Sequence, residues 1–293
     1  MSTGTPENRA TLIGMIAIVL WSLLALLTSL SGAIPPFQLT AICFALASVI
    51  GIIGMVKTGK SIAALRQPLH IWLLGVGGLF GYHFFYFTAL QNAPPIEAGL
   101  IAYLWPLLII LFSALLPGEK LRLHHLLGGF IGFSGAVLII SKGGLFAFDS
   151  THLWGYAAAG LCAIIWAAYS VLSRHFATVS SEVVTGFCAL TALLAAVAHL
   201  SLETSIWPQN YGQGLAILGL GLGPVGLAFY VWDHGVKRGN IQLLGAASYA
   251  APILSTFALL AAGQGEFSWI IIFATLLVTL GALVAAKDMI RKS

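Results

Sequence analysis

Apolar stretches of about twenty residues follow one another from end to end of this chain, joined by connections too short to hold a folded unit. A hydrocarbon core of about 30 Å needs roughly 20 residues of helix, whereas a barrel strand needs only about 10. Backbone N–H and C=O groups find no partners in lipid, so each stretch must bond within itself. The fold class expected is therefore an all-α integral membrane protein. Ten spans are read: Thr11 to Ser31, Phe37 to Val56, His70 to Gln91, Ile96 to Leu116, Leu123 to Ser141, Leu153 to Ser173, Glu182 to Leu202, Gly214 to Gly235, Asn240 to Ala262 and Ser268 to Ala286. Composition excludes the soluble alternative, because only 8% of the 293 residues are charged and 59% are hydrophobic. Ser31-Gly32-Ala33 imitates a signal-peptide cleavage site, but the run before it exceeds the usual apolar core of about 7 to 15 residues, so the first span is read as retained.

Basic residues orient the chain. With the N-terminus inside, twelve of the 13 fall on the inner side: Arg9, Lys57, Lys60, Arg66, Lys120, Arg122, Arg174, Lys237, Arg238, Lys287, Arg291 and Lys292. Lys142 alone falls outside. Because positive loops stay cytoplasmic, both termini are expected there. Scattered in this way, the basic residues mark topology rather than a surface for nucleic acid. Cys43, Cys162 and Cys188 lie inside apolar spans without C-x-x-C spacing, which suits small core residues.

The sequence also repeats itself. A shift of 146 lays Gly99, Tyr103 and Pro106 on Gly245, Tyr249 and Pro252, Gly135-Ala136 on Gly281-Ala282, and Tyr86 on Trp232. Trp21 meets Trp166 at 145, and Gly118-Glu119 meets Gly265-Glu266 at 147. Each half, 1–142 and 143–293, then holds five spans, and an odd number inverts the second half against the first. Inverted repeats frame a central site and permit alternating access within one transport domain.

Depth singles out the candidate site. Trp72, Trp154, Trp207 and Trp269 lie near span ends, where tryptophans form interfacial belts. Trp21, Trp105 and Trp166 lie near mid-span, with Trp232 nearer the inner end of its helix. Tyr82, Tyr103, Tyr169 and Tyr249 also lie deep, each with a hydroxyl that lipid cannot satisfy. Among ionisable groups only His83 is central, beside Tyr82 and one turn from Tyr86, while Glu97 and Asp233-His234 lie toward span ends. So few charges argue against an acid-chain proton relay, and they favour a substrate held by ring stacking, cation–π contact and helix dipoles. The substrate-binding set expected is Trp21, Tyr82, His83, Tyr86, Tyr103, Trp105, Trp166, Tyr169 and Tyr249. Pro106 and Pro252 are the expected hinges, each leaving a carbonyl unpaired one turn earlier. Gly221-Leu222-Gly223-Pro224-Val225-Gly226 matches G-x-G-x-x-G, but no strand precedes it, so it is read with Gly77/Gly81 and Gly128/Gly132 as helix-packing glycine. His124-His125 is read as a solvated pair rather than a metal site.

Four segments carry a resemblance: Ile18-Val19-Leu20-Trp21-Ser22, Ile96-Glu97 leading to Tyr103-Leu104-Trp105-Pro106, Ile165-Trp166-Ala167-Ala168-Tyr169, and Gly239-Asn240 followed by Ser248-Tyr249 and Pro252. With ten spans in two inverted halves, the chain resembles the EamA-type branch of the drug/metabolite transporter superfamily and, within it, the YddG-like aromatic amino acid exporters. The resemblance implies export of amino acids, aromatic and other apolar ones above all, across a bacterial inner membrane. It implies a small-molecule substrate and a lipid bilayer as partners, with no catalytic residue, metal or cofactor. The sequence assigns no oligomeric state. Two other readings stand beside it, an exporter of other small metabolites or drugs, and an intramembrane enzyme using His83 on a lipid or isoprenoid.

Overall fold

A computed structural model of the chain describes residues 5–118, 120–142, 144, 149–263, 267–285 and 287. The Glu119 and Gly265-Glu266 part of the repeat, the basic residues Arg291 and Lys292, and the expected last residue of the final span, Ala286, lie outside these described residues. The apolar helices are α1 (Pro6–Leu30), α2 (Pro36–Lys57), α3 (Leu69–Asn92), α4 (Glu97–Ser113), α5 (Leu123–Leu138), α6 (Ser150–Phe176), α7 (Val183–Leu202), α8 (Tyr211–Arg238), α9 (Ile241–Ala261) and α10 (Trp269–Ala285). Among the described residues seven are long and apolar enough to cross a membrane, while α4, α5 and α10 are shorter apolar helices.

Local chemistry sets where helices begin. Proline opens α1 and α2 at Pro6 and Pro36, where its missing N–H would have had no helical partner. The Asn210 side chain accepts from Gln213 N at 3.0 Å to cap α8, and the Asn240 side chain accepts from Leu243 N at 2.9 Å to cap α9.

Packing follows small residues. Helix α2 lies along α7, and α5 along α10; α1 packs on α8, and α3 on α6; α4 also meets α6, and α9 meets α1. At the α5–α10 contact a Cβ on Gly128 would stand 2.6 Å from the Gly281 carbonyl, so only glycine lets the two backbones approach this closely. Gly14 and Gly235 do the same between α1 and α8. The Gly77/Gly81 pair does not pack in this way. Gly77 faces open space, and the glycines against neighbours are Gly75, under the Phe187 ring, and Gly78, under the Tyr169 ring.

Five helices depart from regular α geometry. Helix α1 is interrupted at Leu23, α4 at Tyr103 and Leu104, and α9 at Ser248 and Tyr249. Helices α3 and α8 carry π-helical turns, Gly77–Gly81 and Gly223–Leu227, which start 146 residues apart. The second turn holds part of the glycine-rich match, so those glycines shape a widened turn as well as a packing face. The expected free carbonyl ahead of Pro252 is not free, because Ser248 O accepts from Ala251 N at 3.1 Å. Two further expectations change. Trp72 is not turned away from the bundle: it is partly buried, packs edge-on to Phe187 at 5.6 Å and lies over Gly186. His125 is not solvated either. It is buried, and its Nδ1 accepts from Arg122 N at 3.3 Å. All three cysteines are buried free thiols.

Candidate functional site

Four tryptophans meet where α1, α4, α6 and α8 converge. Trp21 sits just before the α1 interruption and Trp105 just after the α4 interruption; Trp166 lies on unbroken α6, and Trp232 follows the π turn of α8. Every pair is in ring contact, from 5.0 Å for Trp21–Trp232 to 6.3 Å for Trp105–Trp166 and Trp166–Trp232. Most of these pairs are edge-to-face, as ring quadrupoles prefer. Trp232 has no exposed surface, and its Nε1–H donates to Ser170 Oγ at 3.1 Å, which meets the partner a buried indole needs.

A second tier surrounds this cluster. Tyr82 lies 5.5 Å from Trp166 and stacks on Tyr86 at 5.8 Å with 6° between the planes. Phe229 bridges Trp166 at 5.7 Å to Phe44 at 5.3 Å, and Phe44 in turn meets His83 edge-on at 5.2 Å. His83 Nδ1 lies 2.7 Å from Leu79 O. A carbonyl can only accept, so Nδ1 carries a proton and donates it. Tyr82, His83, Tyr86 and Tyr103 are only partly buried, unlike Trp105, Trp166 and Trp232.

The structure therefore gathers Trp21, Trp105, Trp166, Tyr82, His83 and Tyr86 into one connected set. Tyr103 adjoins it through Trp105 at 6.4 Å, and Tyr169 through Trp166 at 5.3 Å. Tyr249 has no ring contact with this set: it is fully buried in a core with Leu107 and Ile253, against which Tyr103 packs, and its ring is 5.9 Å from Phe133. Sequence reasoning left out Trp232, Phe229 and Phe44. The repeat pointed to two of them, since Trp232 and Phe229 lie 146 beyond Tyr86 and His83. Phe44 has no aromatic counterpart at that shift, where Leu190 stands, and carried no such signal.

Polar contacts fasten the two ends of the bundle. At the end where α6 finishes, the Arg174 guanidinium donates to Val236 O at 3.0 Å and Gly239 O at 2.5 Å, and Asp233 pairs with Lys237 at 2.9 Å. At the opposite end Tyr156 donates its hydroxyl to Glu97, and the Glu203 carboxylate accepts from Phe37 N at 2.9 Å and Gln38 N at 3.1 Å.

Comparison with known proteins adds family evidence. A model described as the EamA-like transporter family matches twice, over residues 8–141 and 153–286. The aromatic amino acid exporter YddG of Ancylobacter novellus is 53% identical over 280 residues, spanning 95% of this chain and 97% of that protein. The exporter of the same name from Escherichia coli is 28% identical over 267 residues, spanning 85% of this chain and 87% of its own. A crystal structure superposes with a TM-score of 0.92 at 52% identity, covering 96% of this chain and 98% of its own.

Proposed function

Because this chain belongs to the EamA-like transporter family, we propose that it exports amino acids, aromatic and other apolar ones above all, across a bacterial inner membrane. The family is one of transporters, so an intramembrane enzyme built on His83 does not fit. The observation that carries the reading is the cluster of four mutually touching tryptophans, drawn from both halves of the chain and flanked by tyrosines that keep some exposed surface. Such a surface receives a flat ring by stacking and selects weakly among different rings, as an aromatic exporter requires.

The mechanism we infer is alternating access between inverted halves 1–142 and 143–293, ten spans in all. Support comes from the contact pattern. Equivalent helices meet each other (α2 with α7, α5 with α10), and the most extensive of the other contacts between the halves occur in exchanged pairs (α1 with α8, α3 with α6). Exchange of the halves leaves that pattern unchanged, as a pseudo-two-fold axis demands. With both termini cytoplasmic, the contacts of Arg174 with Val236 and Gly239 and of Lys237 with Val179 close the inner side, and the partly exposed rings of α3 look outward. Substrate then lies against Trp21, Tyr82, His83, Tyr86, Tyr103, Trp105, Trp166 and Tyr169. Tyr249 leaves the set, and Trp232 and Phe229 join it.

Efflux from proteoliposomes loaded with a panel of amino acids, with and without a pH gradient, tests the substrate. Phenylalanine and tryptophan should leave fastest, and equal rates for charged and aromatic amino acids would refute the reading. A single cysteine at Lys60 that reacts with an impermeant reagent from outside would overturn the topology.

A further inference from the structure

Below the tryptophan cluster, toward the end of the bundle where α6 meets α7, two opposite charges are held out of water. Asp233 and Lys237 lie one turn apart on α8, with Oδ2 and Nζ separated by 2.9 Å and side chains only 1% and 3% exposed. Lys237 also donates to Val179 O at 3.1 Å. A cavity of about 10 Å³ opens beside them, lined also by Tyr169, Phe176 and Phe187. The hydroxyl of Tyr169, buried there, has only a weak contact with Ser173 among the described residues.

Stability does not explain this arrangement. A buried ion pair is often neutral or unfavourable compared with apolar residues of the same volume, and a buried hydroxyl with only a weak contact is a cost. What the group matches is a zwitterion. An ammonium and a carboxylate on adjacent atoms can enter between Asp233 and Lys237, each taking the opposite charge, while the Tyr169 hydroxyl gains a stronger partner. Every charge stays paired before and after, so the exchange exposes no isolated ion to a low-dielectric interior. Phe176 and Phe187 line the cavity, which in this state has room for about one water and widens to take a side chain only when the inner side opens, and Tyr169 leads into the cluster through Trp166 at 5.3 Å.

We propose that Asp233, Lys237 and the Tyr169 hydroxyl form a second binding site, for the α-ammonium and α-carboxylate of a free amino acid, on the inner side of the tryptophan cluster. The proposal rests on the exporter reading for its substrate class. In the present closed state the ion pair occupies the positions that the substrate's two charges take when the inner side opens.

The test uses three probes of similar shape: phenylalanine, phenethylamine without the carboxylate, and 3-phenylpropionate without the ammonium. Binding is followed by tryptophan fluorescence on the purified protein, and transport in proteoliposomes. The wild type should favour phenylalanine in both assays. Tyr169→Phe, which removes a hydroxyl with only a weak contact to Ser173 in this state, should raise the apparent Kd and KM for phenylalanine about fivefold and leave kcat alone. The charge-balanced double variant Asp233→Asn/Lys237→Gln should lose about tenfold or more of the preference for phenylalanine over both single-charge probes. A folded double variant that keeps the full preference, or Tyr169→Phe with an unchanged Kd, overturns the proposal. Preferential binding of phenylalanine without transport would sink the exporter reading and leave this site standing.

Discussion

Helices α4 and α9 are broken within a residue of equivalent places, yet their surroundings differ. The α4 break delivers Trp105 to the tryptophan cluster and leaves Gly99, one turn before it, facing open space. The α9 break delivers Tyr249 to a dry core against Phe133, and Gly245, the counterpart of Gly99, is so close to α4 that a Cβ would stand 3.0 Å from the Pro106 carbonyl. One backbone device thus serves the tryptophan cluster in one half and helix packing in the other. Equivalence under the repeat predicts geometry better than it predicts what a side chain does.

The contrast can be broken most decisively at the rings. Tyr249→Ala empties a fully buried site and should cost about 3 to 5 kcal/mol, read as a fall in Tm in detergent, with substrate preference among surviving molecules unchanged. A changed preference would return Tyr249 to the binding set. The glycines come next. Gly245→Val forces a side chain against Pro106 and should cost about 1 to 3 kcal/mol, while Gly99→Val, with nothing nearby, should cost well under that. Equal Tm losses would mean the two breaks are packed alike.

A smaller effect separates binding from stability. Trp105→Ala removes stacking worth about 0.5 to 1.5 kcal/mol beyond buried area, so apparent KM should rise up to about tenfold for aromatic substrates and less for small ones. Trp154→Ala and Trp269→Ala, at rings 63% and 72% exposed, are the controls; Trp72 is packed against Phe187 and unsuited to that purpose. Matching shifts in the controls would dissolve the distinction between cluster and belt. The smallest effect belongs to the prolines. Pro106 lies in the first turn of its helical segment and Pro252 has its preceding carbonyl satisfied, so alanine at either should alter stability by less than about 0.5 kcal/mol. Transport should slow for Pro106→Ala only; equal slowing in both would restore a symmetric pair of hinges.

Much of this was legible because lipid leaves a chain few choices. The apolar runs located the helices to within a few residues, and the repeat brought Trp21 and Trp166 forward together. The errors arose where a residue's surroundings, and not its depth, decide its role. Tyr249 shares a motif with Tyr103, but Gly132 lets α5 close over its ring, with a Cβ there only 2.8 Å from Tyr249 Cδ2, and no local pattern announces that approach. Trp72 sits at a span end as a belt residue does, yet the missing side chain at Gly186 draws it inward. Asp233 is read with His234, and Lys237 only as a mark of topology; their pairing, and its burial against Tyr169, Phe176 and Phe187, goes unrecognised in the sequence.

The π turns at Gly77–Gly81 and Gly223–Leu227 reset the angular phase of their helices. Each α residue advances the helix by about 100°, and a π turn accommodates an additional residue without an additional turn. Before it, α3 presents Gly75 to Phe187, and within it Gly78 to Tyr169; after it, the same rod turns Tyr82 and His83 toward Trp166 and Phe44. An uninterrupted α-helix through these residues would misalign one set by nearly a third of a revolution. The widened turns thus work as indexing notches, keeping a face that grips neighbouring helices and a face that joins the aromatic cluster each in its own alignment on a single rod.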